Sequence, residues 1–131
     1  MIKNIREIIL NENNFNEICN LYSHFGDINK LNFSSFKSII ERMPENQNIY
    51  FYLNNETNEI IGAITLIIEQ KFIHNGGKVG HIEDFVVLDK YRSCGIGALL
   101  LEYVVKLAKE NNCYKVILDC DDTLEKYYIK K

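Results

Sequence analysis

Hydrophobic positions recur along this chain at two spacings, every second residue as in strands and every third or fourth as in helices. Ile2 to Leu10 carries apolar residues mostly separated by hydrophilic ones and reads as a first strand. Phe15, Ile18, Cys19 and Tyr22 follow at helical spacing, with Leu21 beside them. A cap at Asn13 or Asn14 would open that helix, and Gly26-Asp27 would close it. A second helix is expected from Asn32 or Ser34 through Phe36, Ile39, Ile40 and Met43, stopping before Pro44. Ile49 to Leu53 reads as a strand, residues 54–58 as a turn, and Ile60 to Gln70 as the returning strand of a hairpin. The run Ile60 to Ile68 is apolar at odd and even positions alike, the pattern of a strand covered on both faces.

Lys71 to Lys78 is a polar loop containing Gly76-Gly77, and Val79 to Leu88 is a further strand. Glu83 and Asp84 interrupt that strand's apolar pattern. Neighbouring strand residues point to opposite faces, so one of these carboxylates is expected to face inward, where an acid is costly unless it is paired or used. From Gly97 the positions Leu100, Leu101, Val104, Val105 and Ala108 form one helical stripe that ends at Asn111-Asn112. Lys115 to Cys120 reads as a strand. Asp122 or Thr123 would start a final helix carrying Tyr127 and Tyr128.

Composition narrows the class. At 131 residues, with 47% hydrophobic and 25% charged positions, the chain is expected to be a single domain, residues 1–131, with its own core. The net charge of −3 speaks against a general nucleic-acid binder. No apolar run reaches the roughly 18 residues that cross a bilayer, and Lys3, Arg6 and Glu7 interrupt the apolar positions a signal peptide would need. Four cysteines, Cys19, Cys94, Cys113 and Cys120, lack metal-site spacing and read as free thiols. A cytoplasmic location without a bound metal is the expectation. The abundant asparagines form no repeat and read as background composition.

The chemistry concentrates in Arg92-Ser93-Cys94-Gly95-Ile96-Gly97, where a strand hands over to a helix. The first N–H groups of a helix have no intrahelical partner, and the helix dipole adds positive potential beside them. Gly95 and Gly97 permit unusual dihedrals and close approach by a ligand, so the turn suits a pyrophosphate. It is not a Walker A loop, since no Gly-Lys-Ser/Thr follows, and it lacks the full dinucleotide-binding glycine pattern.

These six residues resemble the acetyl-CoA pyrophosphate loop of the GNAT acyltransferase superfamily. More narrowly, three further segments are similar to its amino-sugar branch, the glucosamine-6-phosphate N-acetyltransferases. They are Lys71-Phe72-Ile73-His74, Gly80-His81-Ile82-Glu83-Asp84, and Cys113 to Cys120. The resemblance implies a mixed α/β fold, a central sheet flanked by helices. It implies acetyl-CoA as co-substrate and D-glucosamine 6-phosphate as acceptor, on the route to UDP-N-acetylglucosamine, in a homodimer. The backbone of Phe85, Val86 and Val87 would pair with the pantetheine arm. Ser93, Cys94, Gly95, Ile96, Gly97 and Ala98 would wrap the pyrophosphate. Ser23, Lys71, Phe72, Ile73, His74, Glu83, Asp84, Tyr114 and Lys115 would contact the amino sugar. Tyr128 would protonate the leaving thiolate, and Asp119, Glu83 or a water chain would assist the amine.

The implied mechanism is direct attack of the amine on the thioester. A cysteine nucleophile would need a histidine partner that no motif supplies. Two departures from the family pattern stand out. Leu124 replaces an asparagine, and the chain stops three residues after Tyr128, where relatives continue with further strands and a phosphate-binding arginine. The expectation is either a truncated form, its C-terminal strands missing, or another group doing the arginine's work, with Lys71, Lys115 and Lys130 as candidates. Two other functions fit the same residues: a GNAT enzyme for a different amine, such as a polyamine, an amino acid or a protein N-terminus, and a non-catalytic acetyl-CoA-binding module.

Overall fold

The structure, a computed structural model, describes residues 1–28, 31–119 and 126–130, with Asp119 and residues 126–130 described by their backbone alone. Six strands form one sheet in chain order: β1 (Ile2–Asn4), β2 (Gln47–Leu53), β3 (Ile60–Gln70), β4 (Lys78–Val87), β5 (Cys113–Asp119) and β6 (Lys126–Lys130). Neighbours are antiparallel except β4 and β5, which are parallel. A parallel pair needs a crossover connection, and α3 (Ile96–Glu110) supplies it. Helices α1 (Glu12–Tyr22) and α2 (Phe33–Arg42) occupy the connection between β1 and β2.

The apolar run of β3 feeds two cores. Ile61, Ile64 and Leu66 pack with Ile82, Val116 and the α3 residues Ile96, Leu100, Val104 and Ala108. Ile60 and Ala63 pack with Phe51, Val86 and the helical residues Phe15, Ile18, Leu21 and Phe36. The two-sided pattern read from Ile60 to Ile68 is therefore what the fold uses, and α3 buries the stripe read from its sequence. Cys19 and Cys94 are free thiols, while Cys120 lies outside the described residues.

Several boundaries differ from the sequence reading, each for a local reason. The first strand ends at Asn4, because Asn4 and Glu7 form a reciprocal capping box that turns Ile5–Glu7 into a 3-10 helix. Asn11 caps α1, through a box shared with Asn14, in place of Asn13 or Asn14. Asn32 caps α2. Asparagine also holds left-handed backbone at Asn58, Asn75 and Asn112, so its frequency has structural uses that composition alone did not reveal. The expected final helix is corrected: Tyr127 and Tyr128 lie in strand β6, opposite Leu118 and Ile117. Aromatic and β-branched residues suit a paired strand, and β5 provides the pairing edge. Asp122, Thr123 and Leu124 lie outside the described residues.

Candidate active site

Two features of β4 make the site. Its pairing with β5 runs from Lys78↔Cys113 to Ile82↔Leu118 and goes no further. Beyond Ile82 the strands part: β4 continues to Val87, while Asp119 of β5 pairs with Lys126. The stretch from Phe85 to Val87 thus lies beside β3 on one side and has no strand partner on the other among the described residues. A flexible chain bearing amides could add there as a strand would.

The second feature is a bulge. Between the pairs Ala63↔Val86 and Thr65↔Glu83, the single residue Ile64 faces both Asp84 and Phe85. Asp84 takes a left-handed conformation, φ 48°, tolerable for aspartate and strained for most residues. The bulge overturns the alternation from which an inward and an outward carboxylate were expected. Strand alternation fails across it. Glu83 shares the face of its partner Thr65, and Asp84 borders the same cavity as Thr65. Glu83 is half-buried and Asp84 exposed, so neither acid is sealed in the core.

After β4 a 3-10 turn, Asp89–Cys94, leads to Gly95, which adopts φ 79° and ψ 7° as the N-cap of α3. No side chain caps that helix, so the N–H groups of Ile96, Gly97 and Ala98 are left to an external acceptor. Ser93, Cys94, Gly95 and Ala98 are exposed around them. Arg92 braces the turn, its Nε donating to the Val87 carbonyl at 3.3 Å and its guanidinium 3.0 Å from Asp89. Only one of the two glycines needs its special dihedral. Gly97 has no positive φ; a Cβ there would lie 3.5 Å from the Phe85 ring.

The acceptor-side residues fall into two groups. Ser23 lines a cavity of about 480 Å³ with Asn20, Leu21 and His24 at the end of α1, and with Val86, Val87 and Arg92. The Lys71–His74 loop does not border that cavity. In the loop, Lys71 pairs with Glu69 at 3.1 Å, and the His74 ring lies on Tyr114 with centroids 4.1 Å apart. Phe72 is 98% exposed and Ile73 also projects into solvent, so in this conformation neither touches a cavity wall. Lys115 is half-buried in β5, in register with Lys130 of β6. Tyr128 sits one strand away from the opened edge, in register with Ile117.

The splayed parallel strands, the bulge and the uncapped helix together frame a thioester-and-pyrophosphate site. The chain matches the model of the acetyltransferase (GNAT) family over residues 15–128. It belongs to the GNAT acetyltransferase family. GNAT enzymes use acetyl-CoA as co-substrate, and the open β4 edge and free helix N–H groups fit its two ends. Among relatives, the chain is 39% identical over 116 residues to a probable glucosamine 6-phosphate N-acetyltransferase of Drosophila melanogaster, covering 87% of this chain and 52% of that protein. It is 33% identical over 119 residues to the glucosamine 6-phosphate N-acetyltransferase of Candida albicans, covering 91% and 79%. The solved glucosamine-6-phosphate N-acetyltransferase of Arabidopsis thaliana superposes with a TM-score of 0.78 at 26% identity, over 92% of this chain and 83% of that one. The chain spans about half the length of several curated relatives, 52%, 44% and 46% of three of them.

Within this GNAT chain, sequence reasoning missed three residues around the site. His81 bonds Glu69 at 2.9 Å, and Glu69 also holds Lys71, so one carboxylate joins β4 to the loop. His81 first, and then Lys71, holds the Glu69 carboxyl below its usual range. Thr65 is a buried polar residue, 3% exposed, paired with Glu83 beside the bulge. A threonine inside an apolar strand run was the available signal for it. Nothing in the sequence marked Glu69 and His81 as partners, because their contact depends on the β3–β4 register.

Proposed function

We propose that this protein transfers the acetyl group of acetyl-CoA to the amine of D-glucosamine 6-phosphate, giving N-acetyl-D-glucosamine 6-phosphate. The observation that carries the acceptor is the 33% identity with the Candida albicans enzyme of that name over 79% of its length. The opened β4 edge supports the pantetheine lane along Phe85, Val86 and Val87. The uncapped start of α3 supports a pyrophosphate held by the turn from Ser93 to Ala98.

In this reading the amine nitrogen attacks the thioester carbon, the carbon–sulfur bond breaks, and the thiolate takes a proton from Tyr128. The amine's proton passes to Glu83, Asp119 or water. A lysine-like amine would be neutral in only about one molecule in 10³ near pH 7. The electron-withdrawing ring substituents of an amino sugar lower that barrier, so weak assistance suffices. Lys71, His74, Tyr114 and Lys115 form the far wall of the acceptor site and Ser23 its near wall. The product would feed UDP-N-acetylglucosamine synthesis in the cytoplasm, a setting that suits free thiols. A homodimer is part of the same proposal, because β6 ends the sheet with one edge unpaired among the described residues.

The test is thiol release from acetyl-CoA across a panel of amines. Turnover of glucosamine 6-phosphate is expected well above that of polyamines, amino acids and peptides. Better turnover of any of those would overturn the acceptor assignment. Acetyl-CoA binding with no turnover would leave only a binding module.

A further inference from the structure

At the end of α1 a phenol hydroxyl is buried without a hydrogen-bond partner among the described residues. Tyr22 keeps some exposure as a residue, but its hydroxyl oxygen is fully buried and has no hydrogen-bond partner among the described residues. The Thr65 side chain lies near it, with a geometry that falls short of a hydrogen bond. Burial raises the phenol far above its ordinary titration range, and the charge of Asp84 raises it further, so the group remains a proton donor at neutral pH. Leaving such a donor unpaired is unfavourable. Folded proteins keep few of them, and those they keep call for a ligand, a water or a catalytic use.

The surroundings indicate which. Tyr22, Thr65 and Asp84 border one cavity of about 400 Å³ beneath the connection between α1 and α2. Its other walls are mostly apolar, Ile18, Phe25 and Ile49 among them. Asp84 is the left-handed residue of the β4 bulge, so the polar end of the cavity abuts the backbone proposed to hold the thioester. A molecule whose amine reaches that thioester would present its neighbouring atoms to Tyr22.

We infer that the Tyr22 hydroxyl donates a hydrogen bond to a hydroxyl oxygen of the acceptor, making Tyr22 a specificity-determining residue for hydroxyl-bearing primary amines. The inference rests on the acetyl-transfer reading for the placement of the amine. The near-isosteric Tyr22→Phe removes the hydroxyl, donor and acceptor together, and keeps the ring. For glucosamine 6-phosphate its KM is expected to rise about tenfold, the loss of one hydrogen bond of roughly 1.4 kcal/mol. The KM for acetyl-CoA should stay within about twofold, and Tm should hold or rise, because an unpaired buried hydroxyl has gone. An unchanged acceptor KM overturns the inference. If Tm also falls, a bound water was completing the phenol and the role is structural.

Calorimetric titration of glucosamine 6-phosphate into both proteins, in the presence of CoA, separates this inference from the catalytic reading. Tyr22-dependent binding without turnover in the wild type would uphold the donor and sink the acetyl transfer. Turnover with Tyr22-independent binding would do the reverse.

Discussion

Gly95→Ala is the sharpest test of the turn before α3. Gly95 adopts φ 79° and ψ 7°, and a Cβ there would meet no heavy atom within 4 Å. The substitution therefore introduces left-handed strain without a clash, about 1 kcal/mol. For a chain of 131 residues, a melting entropy of about 2.1 cal/mol/K per residue converts ~1 kcal/mol into a fall in Tm of roughly 4 °C. If the turn relaxes out of the left-handed region, the N–H groups of Ile96, Gly97 and Ala98 lose their common aim. Restoring that aim on binding would weaken acetyl-CoA by about fivefold for each ~1 kcal/mol. Gly97→Ala is the matched control. Gly97 has an ordinary φ, and its new methyl would rest 3.5 Å from Phe85 in normal contact. In the first turn of a helix alanine is the better former, so Tm should hold or rise. Thermal melts and calorimetric titration with acetyl-CoA read both variants. If Gly95→Ala leaves Tm and affinity unchanged, the left-handed turn does not set the loop. If Gly97→Ala abolishes binding, a ligand presses on that Cα and the contact with Phe85 is irrelevant.

Three further outcomes follow from named contacts. A Cβ at Gly77 would lie 2.7 Å from Tyr114 Cδ1, so Gly77→Ala should displace that ring from His74; a raised KM for the acceptor with an unaltered KM for acetyl-CoA is expected in steady-state kinetics. Folding lowers the Glu69 carboxyl, chiefly through His81 and then Lys71, so its contribution is present above the ordinary carboxylate range, near about 4.3, and is lost as pH falls through the lowered value. The small Tm advantage of wild type over Glu69→Gln should accordingly persist at neutral pH and vanish in acid; an advantage that grows on acidification contradicts the pairing. Asp84→Asn should keep Tm, because asparagine accepts the left-handed region, whereas the β-branched Asp84→Val should lose about 1–2 kcal/mol in denaturant unfolding.

Much of this architecture is legible in the residues because periodicity reports burial. The two-sided run from Ile60 to Ile68 and the stripe from Leu100 to Ala108 each describe surfaces that the fold covers. The turn from Arg92 to Gly97 is legible for a different reason: its glycines and its position between a strand and a helix are local facts. What escaped is whatever depends on register. Whether Tyr127 and Tyr128 belong to a helix or a strand was decided by the edge of β5. The unpaired hydroxyl of Tyr22 arises only when α1 is laid over Thr65 and Asp84. In the sequence Tyr22 is simply one more residue at helical spacing.

The bulge is the point where these two kinds of information meet. Alternation applied to Glu83 and Asp84 sends one acid inward, and an inward acid would demand a buried partner or a shifted charge. One extra residue on β4 resets the alternation between Glu83 and Val86, so that both acids border the side of Thr65 and neither is sealed in the core. The same insertion re-aims the backbone of Asp84 and Phe85 at the stretch where β4 has already left β5. Below the parting, pairing with β5 holds β4 in a parallel ladder, with one register shift between Lys78 and Val79. Above it, the strand carries a left-handed residue, two carboxylates bordering one face, and, from Phe85 to Val87, an edge with no strand partner among the described residues. A regular strand bearing the same residues would have buried one acid and left the other alone. The polar pair that interrupts an apolar strand is therefore the sequence trace of a backbone irregularity, and that irregularity brings acid groups, the bulged backbone and the Tyr22 hydroxyl to one place.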